Sequence, residues 1–242
     1  MNKKFLFACL GLVLGLIPCM QSCDDDINDI VEGKTYTFAY SKMGILPITI
    51  GATTFESPDF GHWHYFTLDD KKGILEAGID LFELENVNPG GIGTEKISET
   101  RKNSTGWDFA LHAYDIRTNS GTVGNGGVTA AFIADTTSVT PLETVFANIK
   151  NAASLTFVPN AATPGMFYQS LAVMPPTRAT QLNMFKSFAS FQMLPPYKLS
   201  VNKMVVVFKT TKGKYVKVFF KDFQAGENKV NLVLEYALIP AN

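Results

Sequence analysis

The run from Val230 to Ile239 limits this chain's fold more than any other stretch. Val230, Leu232, Leu234, Tyr236 and Leu238 recur at every second position, a period that places them on one face of a strand and that a helix cannot reproduce. Just upstream, Lys203–Lys209 and Tyr215–Phe220 are β-branched and aromatic runs joined by Lys209-Thr210-Thr211-Lys212-Gly213-Lys214. A glycine-bearing turn between two such runs predicts a hairpin over Met204–Phe220. The same rhythm marks Thr35–Tyr40, Leu46–Ile50, Trp63–Leu68, Trp107–Tyr114, Val128–Ala134 and Ser154–Val158 as further strands, with Gly, Pro, Asn and Asp clusters between them. Pro141–Asn151 reads as a short helix with Thr140 as its N-cap and Pro141 in the first turn. The expected fold is all-β, mostly antiparallel with few short helices. With no repeat, low-complexity tract or linker, residues 35–242 are expected to form a single domain.

The N-terminus reads as an export signal. Lys3 and Lys4 precede an apolar stretch, Phe5 to Ile17, that is too short to span a bilayer, and Ser22-Cys23 has the form of a lipoprotein processing site. Residues 1–22 are therefore expected to be a lipoprotein signal peptide, with Cys23 the lipidation site and residues 23–34, opening on Asp24-Asp25-Asp26, a flexible acidic tether. An acidic run at this place resembles the signal that directs lipoproteins of some Gram-negative bacteria to the outer face of the outer membrane. Removing the first 22 of 242 residues leaves 220, with 19 Lys and Arg against 22 acids and a net charge of −3. That balance argues against nucleic acid as a partner, since a phosphate backbone needs a concentrated basic face. Cys9 and Cys19 leave with the signal and Cys23 is acylated, so disulfides, thiolate metal sites and thiol catalysis drop out together.

Trp107 to Gly127 is the most patterned internal block. Trp107, Phe109, Leu111 and Ala113 alternate with Asp108, Ala110, His112 and Tyr114, and both sets are largely apolar, which predicts a strand covered on both faces. Asp115, Arg117, Thr118, Asn119, Ser120 and Gly121 carry turn chemistry, and Gly124, Gly126 and Gly127 precede the next strand. A phosphate cradle is a poor reading of these glycines, because no Lys-Ser/Thr pair and no helix follow them.

The order Trp107-Asp108-x-Ala110-Leu111-His112-x-Tyr114-Asp115-x-Arg117-x-Asn119, followed by glycines, is similar to the central signature of the HmuY-like haem-binding lipoproteins. Trp63-His64-Tyr65-Phe66 and Tyr197-Lys198-Leu199-Ser200 agree with it, and the resemblance runs from roughly Phe60 to the C-terminus. It implies a single HmuY-like β domain on the cell surface, lipid-anchored in the outer membrane and compatible with release from the cell. Such a domain captures haem and delivers it to an outer-membrane transporter for iron uptake.

Candidate ligands are few. His62, His64 and His112 are the only histidines, and none follows residue 112. His62 and His64 share one face of a strand and could hold a metal, but a zinc site would have to borrow carboxylates; bonding of His64 and His112 within the sheet is the simpler expectation. No Gly-x-Ser-x-Gly elbow is present and no carboxylate pair stands out, so no enzyme is expected. Residues 160–196 hold Met166, Met174, Met184 and Met193 among aromatic residues, with prolines that limit regular sheet. Any one of these methionines is ordinarily core filler. In the family the chain resembles, haem lies between two axial ligands, histidines or methionines, carried on two loops or hairpin arms. The second ligand sits a few residues before the segment matching Tyr197-Lys198-Leu199-Ser200, which points to Met193. The first follows a strand and a Gly-Pro turn, which fits Thr163-Pro164-Gly165-Met166, with Met174 and Met184 as alternatives for that place. Arg178, Lys186 and Lys198 are candidates for the haem propionates. A second reading makes the protein a surface β-sandwich that binds glycan or a partner protein, with Trp63 and Tyr65 exposed for stacking on sugar rings.

Overall fold

The computed structural model describes residues 29–43, 45–50, 53–58, 61–89, 92–112, 115–160, 166–168, 178–179, 188–192, 198–226 and 229–242. The chain opens with β1 (Tyr36–Tyr40), β2 (Ile45–Ile50), β3 (Thr53–Pro58), β4 (His62–Asp69) and β5 (Gly73–Leu81). Short strands β6 (Leu84–Glu85) and β7 (Ile92–Glu95) and the one-turn helix α1 (Glu99–Lys102) lead to β8 (Phe109–His112) and β9 (Asp115–Thr118). After β10 (Thr129–Asp135) and α2 (Leu142–Asn148) come β11 (Met166–Tyr168), β12 (Arg178–Ala179) and β13 (Ala189–Gln192). The last strands are β14 (Lys198–Val201), β15 (Met204–Lys209), β16 (Tyr215–Gly226) and β17 (Lys229–Ile239). The described strands pair antiparallel, and the fold is all-β with two short helices among the described residues.

Two sheets face each other, one ordered β1-β17-β16-β15-β10 and the other β5-β4-β8-β9. Period-two alternation decides which residues meet between them. Met204, Val206 and Phe208 of β15, Val218 and Phe220 of β16, and Leu232, Leu234 and Tyr236 of β17 turn inward to meet Phe66, Leu68, Phe109 and Leu111. Phe109 stacks on Phe208 at 5.2 Å, and Phe38 meets Phe66 edge-on at 6.0 Å. Each such fully buried side chain contributes about 1.5–3 kcal/mol, so this interface is the main source of stability. The opposite face of the larger sheet, with Val205, Phe219 and Ala237, is covered by Leu142 and Phe146 of α2.

Smaller sheets hang from this body: β12-β11-β7-β6, the hairpin β13-β14 and the hairpin β2-β3, with β14 lying against both β3 and β16.

The predicted hairpin over Met204–Phe220 is present as β15–β16, and β17 follows its alternation, with β16 running six residues further, to Gly226. Four expectations change. Asp115–Thr118 is a strand paired with β8 rather than a turn, and Trp107 lies ahead of β8 with its ring in the cluster on the far side of the sheet from Phe109. Ser154–Val158 reduces to one bridge between Val158 and Ala130. The helix is capped at Pro141, not Thr140, with no side-chain hydrogen bond at the cap.

Candidate functional site

The patterned block around Trp107 is a joint, built from buried polar groups that each bind several backbone donors or acceptors. Asp108 is 1% exposed and its Oδ2 accepts from the Leu68 N–H at 2.6 Å and the Thr67 hydroxyl at 3.1 Å. Its Oδ1 accepts from the Thr211 N–H at 2.8 Å, so one carboxylate ties β4 to the β15–β16 turn. Asn119 donates to the carbonyls of Ser104 and Trp107 and accepts from the Gly126 N–H at 2.9 Å. The glycines exist for this side chain. A methyl group at Gly124 would collide with Asn119 Oδ1 and lie 2.9 Å from Trp107 Cζ2, and one at Gly126 would lie 2.5 Å from Asn119 Nδ2. The glycine run is therefore a close-packed turn around the Asn119 side chain.

Arg117 sits under the same block, fully buried, where turn chemistry had been expected. Its guanidinium lies 3.6 Å from the Trp63 ring centroid, donates to Glu95 Oε1 at 2.5 Å and donates to the Tyr65 hydroxyl. Burial alone would lower the Arg117 pKa, but Glu95 and Tyr65 outweigh it and hold the group above its ordinary value. Burial pushes the Tyr65 phenol up to about 12. Arg101 covers the Tyr65 ring at 4.0 Å and grips Asp80 through two hydrogen bonds of 2.9 and 2.8 Å. Trp63 and Tyr65 are each 1% exposed, and Trp63 is held between Arg117 and His112. The expectation that these two rings are exposed for sugar stacking is overturned: cations and neighbouring rings already occupy their faces. A cleft of about 500 Å³ opens above them, walled by Ile79, Leu81, Glu83 and Lys96.

Two of the three histidines, His64 and His112, belong to the core, and His62 is half-buried. His64 is 1% exposed and its Nδ1 lies 3.0 Å from the Tyr40 hydroxyl, which donates to Glu76 Oε2 at 2.8 Å. Since that hydroxyl has one proton, which goes to Glu76, the Nδ1–H of His64 is the donor in their shared bond. Burial and Glu76 together raise the Tyr40 pKa. His112 is also 1% exposed and stacks on Trp63 at 5.0 Å and Phe82 at 4.3 Å. His62 and His64 share a face of β4, with ring centroids 6.4 Å apart. Among the described residues no group of three or more His, Cys, Asp or Glu is placed to hold a metal ion.

The methionine candidates fall on the smaller sheets or outside the described residues. Met166 opens β11, where its register partners are Thr94 of β7 and Ala179 of β12. Arg178 stands opposite Phe167, and Lys198 stands opposite Gln192 in the β13–β14 hairpin. Met193, directly after Gln192, lies outside the described residues, as do Met174, Met184, Lys186 and Cys23. Where a haem is considered, the donor chemistry of this chain fits it. The His64 and His112 imidazoles could reach an iron only by opening the core, whereas His62 is half-buried on β4 and the sequence of residues 160–196 supplies soft thioethers.

The family model for the HmuY protein matches residues 60–237, from just before β4 to near the end of β17. This chain belongs to the HmuY family. No curated protein matches it in sequence. Among solved structures, apo PinO from Porphyromonas gingivitis aligns over 86% of this chain and 99% of that one, at 15% identity and a TM-score of 0.43. The apo HmuY analog of Tannerella forsythia aligns over 88% and 99%, at 18% identity and a TM-score of 0.35. A candidate HmuY-like haem-binding protein from Bacteroides vulgatus aligns over 86% and 96%, at 14% identity and a TM-score of 0.42.

In this HmuY-family chain the signature residues Trp107, Asp108, Arg117 and Asn119 hold the body together. Glu95, which completes the Arg117 site, was missed in the sequence because a single acid in a four-residue strand leaves no period to read. Arg117 itself lies among Asp115, Thr118, Asn119 and Ser120, a polar run that reads as a turn, so nothing near it announced a buried guanidinium in need of an acid from elsewhere in the chain.

Proposed function

We propose that this protein is a haem-binding lipoprotein of the cell surface, anchored through Cys23 in the outer membrane, that passes haem to an outer-membrane transporter. Residues 1–22 would be its signal peptide, 23–34 its tether and 35–242 its haem-binding domain. The supporting observation is membership of the HmuY family over 60–237 combined with two histidines locked in the core. Met166 and Met193 are the axial ligands in this reading, with Met174 or Met184 as substitutes for Met166. Bound haem would present an iron with two axial positions, and neutral thioethers favour its more electron-rich state. The chain's part is to hold two sulfurs at a fixed distance, bury the porphyrin and exclude water. No bond is made or broken in the cargo, so the protein acts by capture and not as an enzyme.

Haem titration followed by absorbance tests this. The expected result is a Soret change that saturates at one equivalent, with tighter binding to Fe(II) than Fe(III) haem and little loss as pH falls through the imidazole range near 6.5. Met166→Ala and Met193→Ala should stay folded and lose most of the reduced-state affinity. Loss only in Met174→Ala or Met184→Ala would move the first ligand, and loss only in His62→Ala would replace the thioether scheme. Labelling with a fatty acid, abolished by Cys23→Ala, and protease accessibility on whole cells test the anchor and the surface location.

A further inference from the structure

We infer that the buried Arg117–Glu95 ion pair fixes the position of β7, the strand against which Met166 pairs, making both residues positioning residues for the haem iron; the inference rests on the reading of Met166 as a ligand. The sheet β12-β11-β7-β6 is built from strands of two, three, four and two residues. Strands this short do not hold a register by themselves, so the sheet takes its position from its attachments to the body. On one side those attachments are apolar, with Phe82, Leu84 and Ile97 packed on the Trp63–Trp107 cluster. Apolar contacts are non-directional and tolerate sliding.

Glu95 supplies what they lack. It is the last residue of β7, directly after Thr94, the register partner of Met166. Its side chain is 2% exposed and meets the fully buried Arg117 at 2.5 Å. Arg117 is in turn fixed against Trp63 and Tyr65 on β4, in the middle of the body. A slip of one residue along β7 would take the carboxylate out of the sheet face that meets Arg117 and leave a buried charge unpaired. A buried ion pair of this kind specifies one arrangement more than it adds stability, and what it holds in place here is β7, the strand on which Thr94 pairs with Met166.

Glu95→Gln, which keeps the shape and removes the charge, is the test. In the haem-free protein, hydrogen exchange should speed up at Ile92–Glu95 and Met166–Tyr168 while β15–β17 stays at parental rates. With reduced haem, affinity should fall about 10- to 100-fold, the usual cost of losing a group that orients a ligand, and the Soret band should move toward that of Met166→Ala. Asp108→Asn is the control for a merely structural effect: it should lower the melting temperature and leave the Soret band where the parent has it. Parental exchange at β7 and β11 in a folded Glu95→Gln protein overturns the anchor, and faster exchange with parental haem affinity and spectrum overturns its role toward iron. Should Glu95→Gln not fold, Glu95→Asp keeps the charge but draws the carboxylate back from Arg117 by one methylene, and parental exchange at β7 and β11 in that variant overturns the anchor equally. A parent protein that binds no haem removes the haem reading and with it the positioning role, while the exchange result still decides whether the pair anchors β7.

Discussion

Asp108 carries three hydrogen bonds on one carboxylate, from Leu68, Thr67 and Thr211. Asp108→Ala would leave those donors short of an acceptor inside the body, at a cost of about 3 kcal/mol that a urea titration would read as a lower midpoint. Asp69 behaves differently because its partner is at the surface. The Lys212 ammonium, bonded to Asp69 at 2.8 Å and aided by the N–H groups of Lys71 and Lys72, holds its carboxyl down at about 2. A depressed carboxyl adds stability above its unfolded pKa of about 3.9, and that contribution is lost as pH falls through about 2. Parent and Asp69→Asn should therefore differ at about pH 5, by under about 1 kcal/mol since Lys212 is exposed, and converge near pH 2. Single residues were the least legible scale in the sequence. Asn119 and Arg117 have the composition of a turn, Asp108 was read as one polar position of a strand, and nothing local distinguishes a solvated Asp from one that closes a joint 103 positions away.

Among the elements, β5 is an edge strand that is protected by a side chain. Its register against β4 shifts between Tyr65 and Phe66, and Arg101 donates to the Ala77 carbonyl at 3.1 Å while holding Asp80. Gly78 is required there, since a methyl group would lie 2.6 Å from the Arg101 guanidinium. Arg101→Ala should cost about 1–2 kcal/mol and leave an open strand edge, visible as concentration-dependent association in light scattering. At the other sheet, Lys217 donates to the carbonyls of Phe146 and Ile149 at 2.8 and 3.0 Å, closing the C-terminus of α2. Burial lowers its pKa, and Lys217→Met should melt α2 early at a cost of about 1–2 kcal/mol, seen as faster exchange in residues 142–149. β17 was legible because ten residues of alternation leave no other reading, and β15 and β16 because a glycine-bearing turn joins two β-branched and aromatic runs, whereas the nine-residue β5 went unread. β9 was not legible, because its edge is closed from a distance: the Asn160 side chain accepts from the Thr118 N–H at 3.2 Å and donates to the Thr118 carbonyl. Strands of two to four residues such as β6, β7 and β11 are shorter than any period that could announce them.

For the whole molecule, an all-β body with no cysteine after residue 23 should melt at the same temperature with and without reductant, and a shift of several degrees would contradict lipidation at Cys23. The larger sheet also dictates a timetable. β17 lies between β1 and β16, with Tyr36 paired to Tyr236 and the Gly33 N–H bonded to the Leu238 carbonyl. A strand near the start of the domain thus has to wait for one about two hundred residues later before it finds its neighbour, and a loop of that length is slow to close. During synthesis, β1 cannot pair in its native place until β17 has emerged. The larger sheet therefore stays incomplete at that edge until nearly all of the chain has arrived.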